Sequence, residues 1–543
     1  MSKEQGSEST VSGSQSMKEE EMAEEKEAPK KVSRKEFVKG AAAVASVGAL
    51  ASCAPAATPA PAPTCPPAPT CPPAEECAPC PTPWLPEKWD EEADVVVVGA
   101  GGAGVAAAWE AANAEADVLV LEKAQGCGGS SVLTGGAFTM ADTPLQKEQG
   151  ITDSVDLLTE DLMEHAIERT GGVPGDPDLL RALAEGSHDA YDWFVGLGVE
   201  MPSEVGFQGG HSVARRHSLI PTEVLTIVKE DATKKGAEFL LETPGKGLIT
   251  DPEGRVIGVT AESEGKMISI KARRAVVLAT GGFCLNGELL LNYYGPGLEN
   301  CVIASATSNS GDGFLAAQKI GAGTRRMFIA GRPGSAKHPI TLKAISVVRD
   351  GAIVVNTEGK RFGDESTESH NFPDMFQKAQ PGGVGWQVYD KKIMSSHFGE
   401  GQQYEYAVEA DTIEELAEKI GVSPANLRET VEKYNNDIDE YGYDTAFGRE
   451  TLEKPPIGGE LVTIDTPPFS AIETYPSLTG TNQGGLNNNA KGQAIDVYGK
   501  IIPGLYEAGE VAPVTGLAGC CYGQAYIFGR IAGKNAAAEE SWA

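Results

Sequence analysis

The sequence predicts an α/β molecule: a doubly wound parallel-sheet domain assembled from an early and a late segment of the chain, with an α+β unit inserted between them. Three observations predict it. An apolar strand, a glycine-rich turn, a small-residue helix and a second apolar strand follow one another from Asp94 to Leu121. A second strand, glycine and helix unit lies far downstream, from Ile501 to Gly533. Between them the pattern changes to a β-meander over Gly236–Ile270 and helical runs at Thr412–Ile420 and Pro424–Tyr434, the latter amphipathic.

The four valines Val95–Val98 suit a strand buried on both faces of a parallel sheet. Gly99, Gly101 and Gly104 then form G-x-G-x-x-G, the tight turn that seats a pyrophosphate on the N-terminus of the next helix. That helix, Val105–Ala112, is small and apolar and can lie close on a sheet. The strand Val118–Leu121 leads to Glu122, where an acid grips an adenosine ribose hydroxyl. Glycine-rich turns are common, but strand, glycines, helix, strand and terminal acid in this order specify a dinucleotide site. After Glu122-Lys123 comes a second glycine cluster, Gly128-Gly129-Ser130-Ser131, then Gly135-Gly136. Such a loop offers donors to a pyrophosphate and ribityl chain running on past the first helix, which selects FAD over NAD. The late segment agrees. Ile501–Val511 reads as a strand ending at Glu510, placed for ribityl hydroxyls, and Gly523–Gly533 as a helix whose N-terminus stabilises the reduced ring. The expected fold is a Rossmann-type FAD-binding domain built from N- and C-terminal segments, with an inserted α+β capping domain.

These residues resemble the flavoprotein family of fumarate reductases, succinate dehydrogenase flavoprotein subunits, urocanate reductases and 3-ketosteroid dehydrogenases. The resemblance runs from about Glu92 to Ala538. It is densest at GAGGAG, at GGSS…TGG, at Ala275–Phe283 (AVVLATGGF, with Gly281) plus Ser310-Gly311-Asp312-Gly313, and at PGLYEAGE…GRIAG; VVNTEGKRF, Val354–Phe362, adds to it. It implies FAD contacts at Ala103, Glu122, Ser130, Ser131, Gly135, Gly136, Asp312, Glu510, Cys521 and Tyr522, with Lys123 and Gly281 in the same loops. No histidine between Cys127 and Gly136 could carry a covalent link, so FAD is expected to be non-covalent.

The family chemistry implied is reduction of an activated C=C bond under a cap, by hydride from flavin N5 to the β-carbon and protonation of the α-carbon. The clamps of dicarboxylate-reducing relatives are not matched. Their acid arginine falls on Ser369, beside His370; their late histidine falls on Thr481, and their late arginine near Gly516. Their His-Pro-Thr is answered only by His338-Pro339-Ile340, out of register. The expected acceptor is therefore a small unsaturated molecule, an enoate or enone rather than fumarate. Candidate substrate-binding or proton-donating residues are Arg349, His370, His338 and Tyr522. A flavin-dependent dehydrogenase of a steroid-like or other saturated ketone is the alternative.

Residues 1–52 read as an export signal with a lipobox. Ser33-Arg34-Lys35-Glu36-Phe37-Val38-Lys39 resembles a twin-arginine signal with its second arginine replaced by lysine. A short apolar run, Gly40–Ala51, ends in Leu50-Ala51-Ser52-Cys53, which makes Cys53 the expected lipid anchor in the cell membrane, with the protein extracytoplasmic. Residues 53–90 form a proline-rich tether suited to an extended polyproline II spacer. Its Cys65, Cys71, Cys77 and Cys80 match no iron–sulfur spacing and read as disulfides or free thiols outside the cytosol, so no metal is expected. The remaining boundaries expected are FAD-binding over 91–326, capping over 327–466 and FAD-binding again over 467–543. A net charge of −32 argues against nucleic acid. No haem-attachment motif is present. Electrons are expected from a membrane cytochrome or a quinol-linked donor.

Overall fold

The chain is described here in a computed structural model over residues 85–542, apart from 170–174, 209, 296–301, 304, 328, 336–346, 367–382, 453–458, 483, 516 and 518. The export signal, Cys53 and the tether cysteines lie outside the described residues, as do Ser369, Gly516 and two candidate residues, His338 and His370.

The valine run ends a strand, Glu91–Val98, at the centre of an eight-stranded sheet. It pairs in parallel with Val118–Leu121 on one side and Lys266–Leu278 on the other. Beyond Lys266–Leu278 lies the late strand Ile501–Glu507, also parallel, so both ends of the chain share one sheet. The valines alternate between two cores. Val95 and Val97 face the helix side and Val96 and Val98 face the opposite side. Two helices cover the first face: Gly102–Asn113 and Cys520–Ala537. They approach almost backbone to backbone. A Cβ at Gly529 would lie 2.4 Å from the Ala103 carbonyl, and one at Gly533 would lie 2.2 Å from that of Ala107. Glycines four residues apart on the late helix thus set its distance from the early one.

Three expectations need correction. The late strand stops at Glu507, and Glu510 sits instead in a one-turn 3-10 helix, Gly509–Val511. The ladder ends where the Ala508 N–H reaches the Leu278 carbonyl and the chain turns through Gly509 at φ +76°. The last helix begins at Cys520 rather than Gly523, because Gly519 adopts the left-handed conformation just before it. The meander is shorter than its sequence pattern. Glu238–Leu240 adds in parallel to Val118–Leu121, and only Gly245–Thr250, Val256–Ser263 and Lys266–Leu278 run antiparallel.

The inserted region forms a second sheet around one long strand, Phe469–Asn482. It pairs antiparallel with Gly385–Asp390, Val408–Ala410 and Ile329–Ser335, and in parallel with Val302–Ile303. This sheet therefore continues past residue 466. Helices Ile413–Ile420 and Pro424–Tyr441 pack on it, capped by Thr412 and Ser423, and the second runs seven residues beyond the apolar pattern. Buried charge organises the centre. Arg361 pairs with Glu365 (2.8 Å) and Asp444 (2.9 Å), and Arg449 lies 3.6 Å from Glu365 and donates to the carbonyls of Val348 and Ala352. Among the described residues, no helix is long and apolar enough to cross a membrane.

Candidate functional site

At the C-terminal ends of the parallel strands lies a pocket with about 1020 Å³ of open space. This is the usual ligand position in an open α/β sheet. Its lining comes from residues within Val98–Ala103, Leu121–Lys123, Gly129–Thr134, Ala279–Gly281 and Ser308–Asp312, from Ala508, Gly509 and Glu510, and from Cys521, Tyr522, Gln524 and Ala525. The early and late segments meet there, across the helix contact made by Gly529 and Gly533.

One end is built for a phosphate. Gly101, the N-cap of helix Gly102–Asn113, offers no side chain to cap the first turn. The first-turn amides beyond Gly102 and the positive end of the helix dipole are open to an anion. A Cβ at Gly104 would fall 1.8 Å from the Gly99 carbonyl, so only glycine lets the turn close this tightly. Ser131 Oγ accepts from the Gly102 N–H at 3.0 Å, and Ser130 Oγ is 3.2 Å from Ser305 Oγ. The second glycine–serine loop is thereby stitched to the first.

Glu122 is buried beside this turn. Its carboxylate accepts the Ala100 N–H at 2.7 Å and the Ala124 N–H at 2.8 Å. Two oxygens with two lone pairs each leave capacity for ribose hydroxyls. Its neighbour Lys123 donates to Ser310 Oγ at 2.6 Å and Asp312 Oδ2 at 2.7 Å. Lys123 and Asp312, each expected near the cofactor, thus form one ion pair on the pocket rim.

The other end is shaped by the late segment. Glu510 accepts from Asn309 Nδ2 at 3.1 and 3.2 Å, with Gly281 close by. Gln524 Oε1 accepts from the N–H groups of Val514 and Thr515, at 3.0 and 3.3 Å, and pins the loop that leads into the last helix. Cys521 and Tyr522 line the pocket from the first turn of that helix. The Tyr522 ring packs edge-on against Phe138 and Tyr526, and burial pushes its phenol up to about 12. That hydroxyl keeps its proton at neutral pH.

The pocket therefore brings together Gly99, Gly101, Ala103, Glu122, Lys123, Ser130, Ser131, Gly281, Asp312, Glu510, Cys521 and Tyr522. Gly104 acts from behind the turn. Gly135 and Gly136 follow the lining loop, and Gly136 is pressed against the Leu219 carbonyl. Arg349 is not in this lining; it is exposed on the 3-10 turn Val347–Asp350. Sequence reasoning missed Thr280, Asn309 and Gln524. Asn309 stands next to the Ser310-Gly311-Asp312-Gly313 motif, and Gln524 is an amide in an otherwise small and apolar helix start, a combination that signals a buried tie.

A cavity with a helix N-terminus and open amides at one end, an acid at the ribose end and a second helix start at the far end fit FAD in donor set. Comparison with known proteins agrees. The FAD binding domain family matches residues 94–524. A urocanate reductase from Eggerthella lenta is 33% identical over 485 residues, covering 84% of this chain and 76% of that protein. The open conformation of a flavocytochrome c3 fumarate reductase superposes with a TM-score of 0.68 at 30% identity, over 83% of this chain and 79% of that one. The 3-ketosteroid-Δ4-(5α)-dehydrogenase from Rhodococcus jostii RHA1 gives 0.67 at 28% identity, over 83% and 98%.

Proposed function

The chain belongs to the FAD binding domain family and is an FAD-dependent oxidoreductase, and from that premise we propose that it reduces the activated C=C bond of an enoate or enone other than fumarate. Bound FAD supplies the reducing equivalents. The protein supplies the pyrophosphate seat at Gly99–Gly104, the ribose grip at Glu122 and the fixed helix start at Cys520–Tyr522. Tyr522, protonated at the flavin end of the pocket, is placed to orient an acceptor carbonyl. Arg349, His370 and His338 remain the proposed cap residues for binding or protonation.

One sequence reading carries the choice of acceptor: by the family resemblance, Ser369, Thr481 and Gly516 fall at the clamp positions of dicarboxylate-reducing relatives. A buried carboxylate left without its arginine costs roughly 3–5 kcal/mol. At tenfold per 1.4 kcal/mol, fumarate should bind more than about a hundredfold more weakly than a monocarboxylate or neutral enone. Anaerobic reoxidation of the reduced protein by fumarate, aryl acrylates, enones and steroids tests this. Fumarate outrunning the rest would overturn the reading. The likeness to a ketosteroid dehydrogenase over nearly that whole chain supports a second reading, oxidation of a saturated ketone. Bleaching of the oxidised flavin by a saturated ketosteroid, without turnover of any enoate, would select it.

The proposed setting is extracytoplasmic. A lipid on Cys53 tethers the enzyme to the membrane, and a membrane cytochrome or quinol-linked partner donates electrons. Cys53→Ser should move the protein from the membrane to the soluble fraction with its flavin spectrum unchanged. A native N-terminus that is uncleaved would sink the anchor.

A further inference from the structure

Two ionisable groups lie directly behind the wall of the pocket, and neither is used in the chemistry above. Glu507 is the last residue of the late strand, immediately before the pocket residues Ala508, Gly509 and Glu510. Its side chain is wholly buried, and among the described residues neither carboxyl oxygen has a hydrogen-bond partner. Arg325 lies on the short strand Thr324–Arg325, across from Gly485–Leu486. Among the described residues its guanidinium donates only to neutral acceptors: Asn488 Oδ1 at 2.9 Å, the Asn488 carbonyl at 3.3 Å and the Pro513 carbonyl at 3.4 Å. Its Nε is buried with no hydrogen-bond partner among the described residues. Asn488 joins the pair, since its Nδ2 donates to the Glu507 main-chain carbonyl at 3.2 Å.

The link to the cofactor is short. Arg325 holds Pro513, and the next two residues, Val514 and Thr515, are held by the pocket residue Gln524. Glu122 marks the ribose end, so this wall belongs to the opposite, isoalloxazine end. Burial without a donor pushes the Glu507 carboxyl well above the usual carboxylate range, with Arg325 acting against that shift. Through space, Asp176 and Glu507 favour the Arg325 cation and Arg326 opposes it.

We infer that Arg325 is a positioning residue that also fixes a positive charge, hydrogen-bonded to no carboxylate among the described residues, behind the isoalloxazine end of the pocket, and so favours the reduced, anionic cofactor. In a poorly solvated site a fixed cation acts on a developing negative charge with little screening. The inference needs the bound FAD but not the acceptor proposed above.

The test is the midpoint potential of the bound flavin in the purified holoprotein, measured by slow reduction against a dye of known potential at pH 7. Arg325→Met should lower the potential, and Arg325→Lys should restore most of it. Glu507→Gln, which mimics a protonated carboxyl, should leave the potential where it is. A flavin-loaded Arg325→Met protein with unchanged potential overturns the inference. If Arg325→Met loses its flavin, Glu507→Gln decides alone. No shift supports a neutral Glu507 beside an unbalanced cation, whereas a rise would mean that Glu507 is ionised and already balances Arg325, which overturns it.

Discussion

The cofactor pocket and the inserted cap solve the problem of order by opposite means. The pocket is made of backbone: open amides just beyond Gly102, carbonyls meeting glycine at Gly104 and Gly529, and a few side chains such as Glu122 and Gln524 that bond to main-chain N–H groups. The cap is ordered by side-chain charge, with Arg361, Arg449, Glu365 and Asp444 all nearly inaccessible. A backbone-built site constrains almost every position to small residues. A charge-built scaffold needs a few partners and leaves the surrounding loops free to vary.

The contrast can be broken in order of effect. Glu365→Ala would strand two buried arginines and should destabilise the fold by roughly 3–5 kcal/mol, seen as a large drop in Tm, while the flavin spectrum below the transition stays native. Loss of flavin at low temperature would show that cap and pocket are not separable. Glu122→Ala should do the reverse. Removing the carboxylate whose spare lone pairs would take ribose hydroxyls, at roughly 1.5–3 kcal/mol per charge-assisted hydrogen bond, should weaken FAD binding by about tenfold to a hundredfold. The check is the flavin-to-protein ratio after gel filtration, and full occupancy would contradict the assigned role.

A subtler effect is linked to pH. The folded-state pKa of Glu507 is raised, so above its ordinary value of 4.5 the folded protein binds one more proton than the unfolded chain. Stability from this group is complete below that value and declines as pH rises towards the folded-state pKa, by about 1.4 kcal/mol per pH unit. Glu507→Gln should abolish the decline, so its Tm advantage over the parent should widen between pH 5 and pH 8. An advantage that does not change with pH would refute the neutral carboxyl. Smallest of all, Lys123→Ala removes a half-exposed rim pair with Asp312, worth roughly 1 kcal/mol or less. Its FAD affinity should change only a fewfold in titration, and a collapse of binding would place Lys123 on the cofactor itself.

The pocket was legible because its requirements are local in sequence. A strand of valines, three glycines and an acid must follow each other at set spacings to hold a pyrophosphate, and Gly99, Gly101, Gly104 and Glu122 sit as their order predicts. The late half was legible as a motif but not in detail. Whether Glu510 ends a strand or stands in a turn depends on where the ladder to Leu278 runs out, which nothing near Glu510 announces. Gln524 and Asn309 were hidden because their partners lie elsewhere in the fold, on a backbone loop and on Glu510. Arg325 and Glu507 are farther still from legibility. An arginine and a glutamate so far apart in the chain become one problem only because Asn488 bonds to the Arg325 guanidinium and to the Glu507 main chain. The cap chemistry stayed open because general acids carry no spacing rule of their own, and Arg349 could be placed only on a turn.

The glycine contact between the two helices sets a clock on biosynthesis. The seat for the pyrophosphate is translated early, but the wall that closes the far end begins at Ala508, and Gly529 and Gly533 must arrive before that wall can lock onto the first helix. Until then the emerging chain carries half a pocket. Cofactor loading therefore waits on the last helix, and any quality control that tests for bound flavin tests, in the same act, whether it was made.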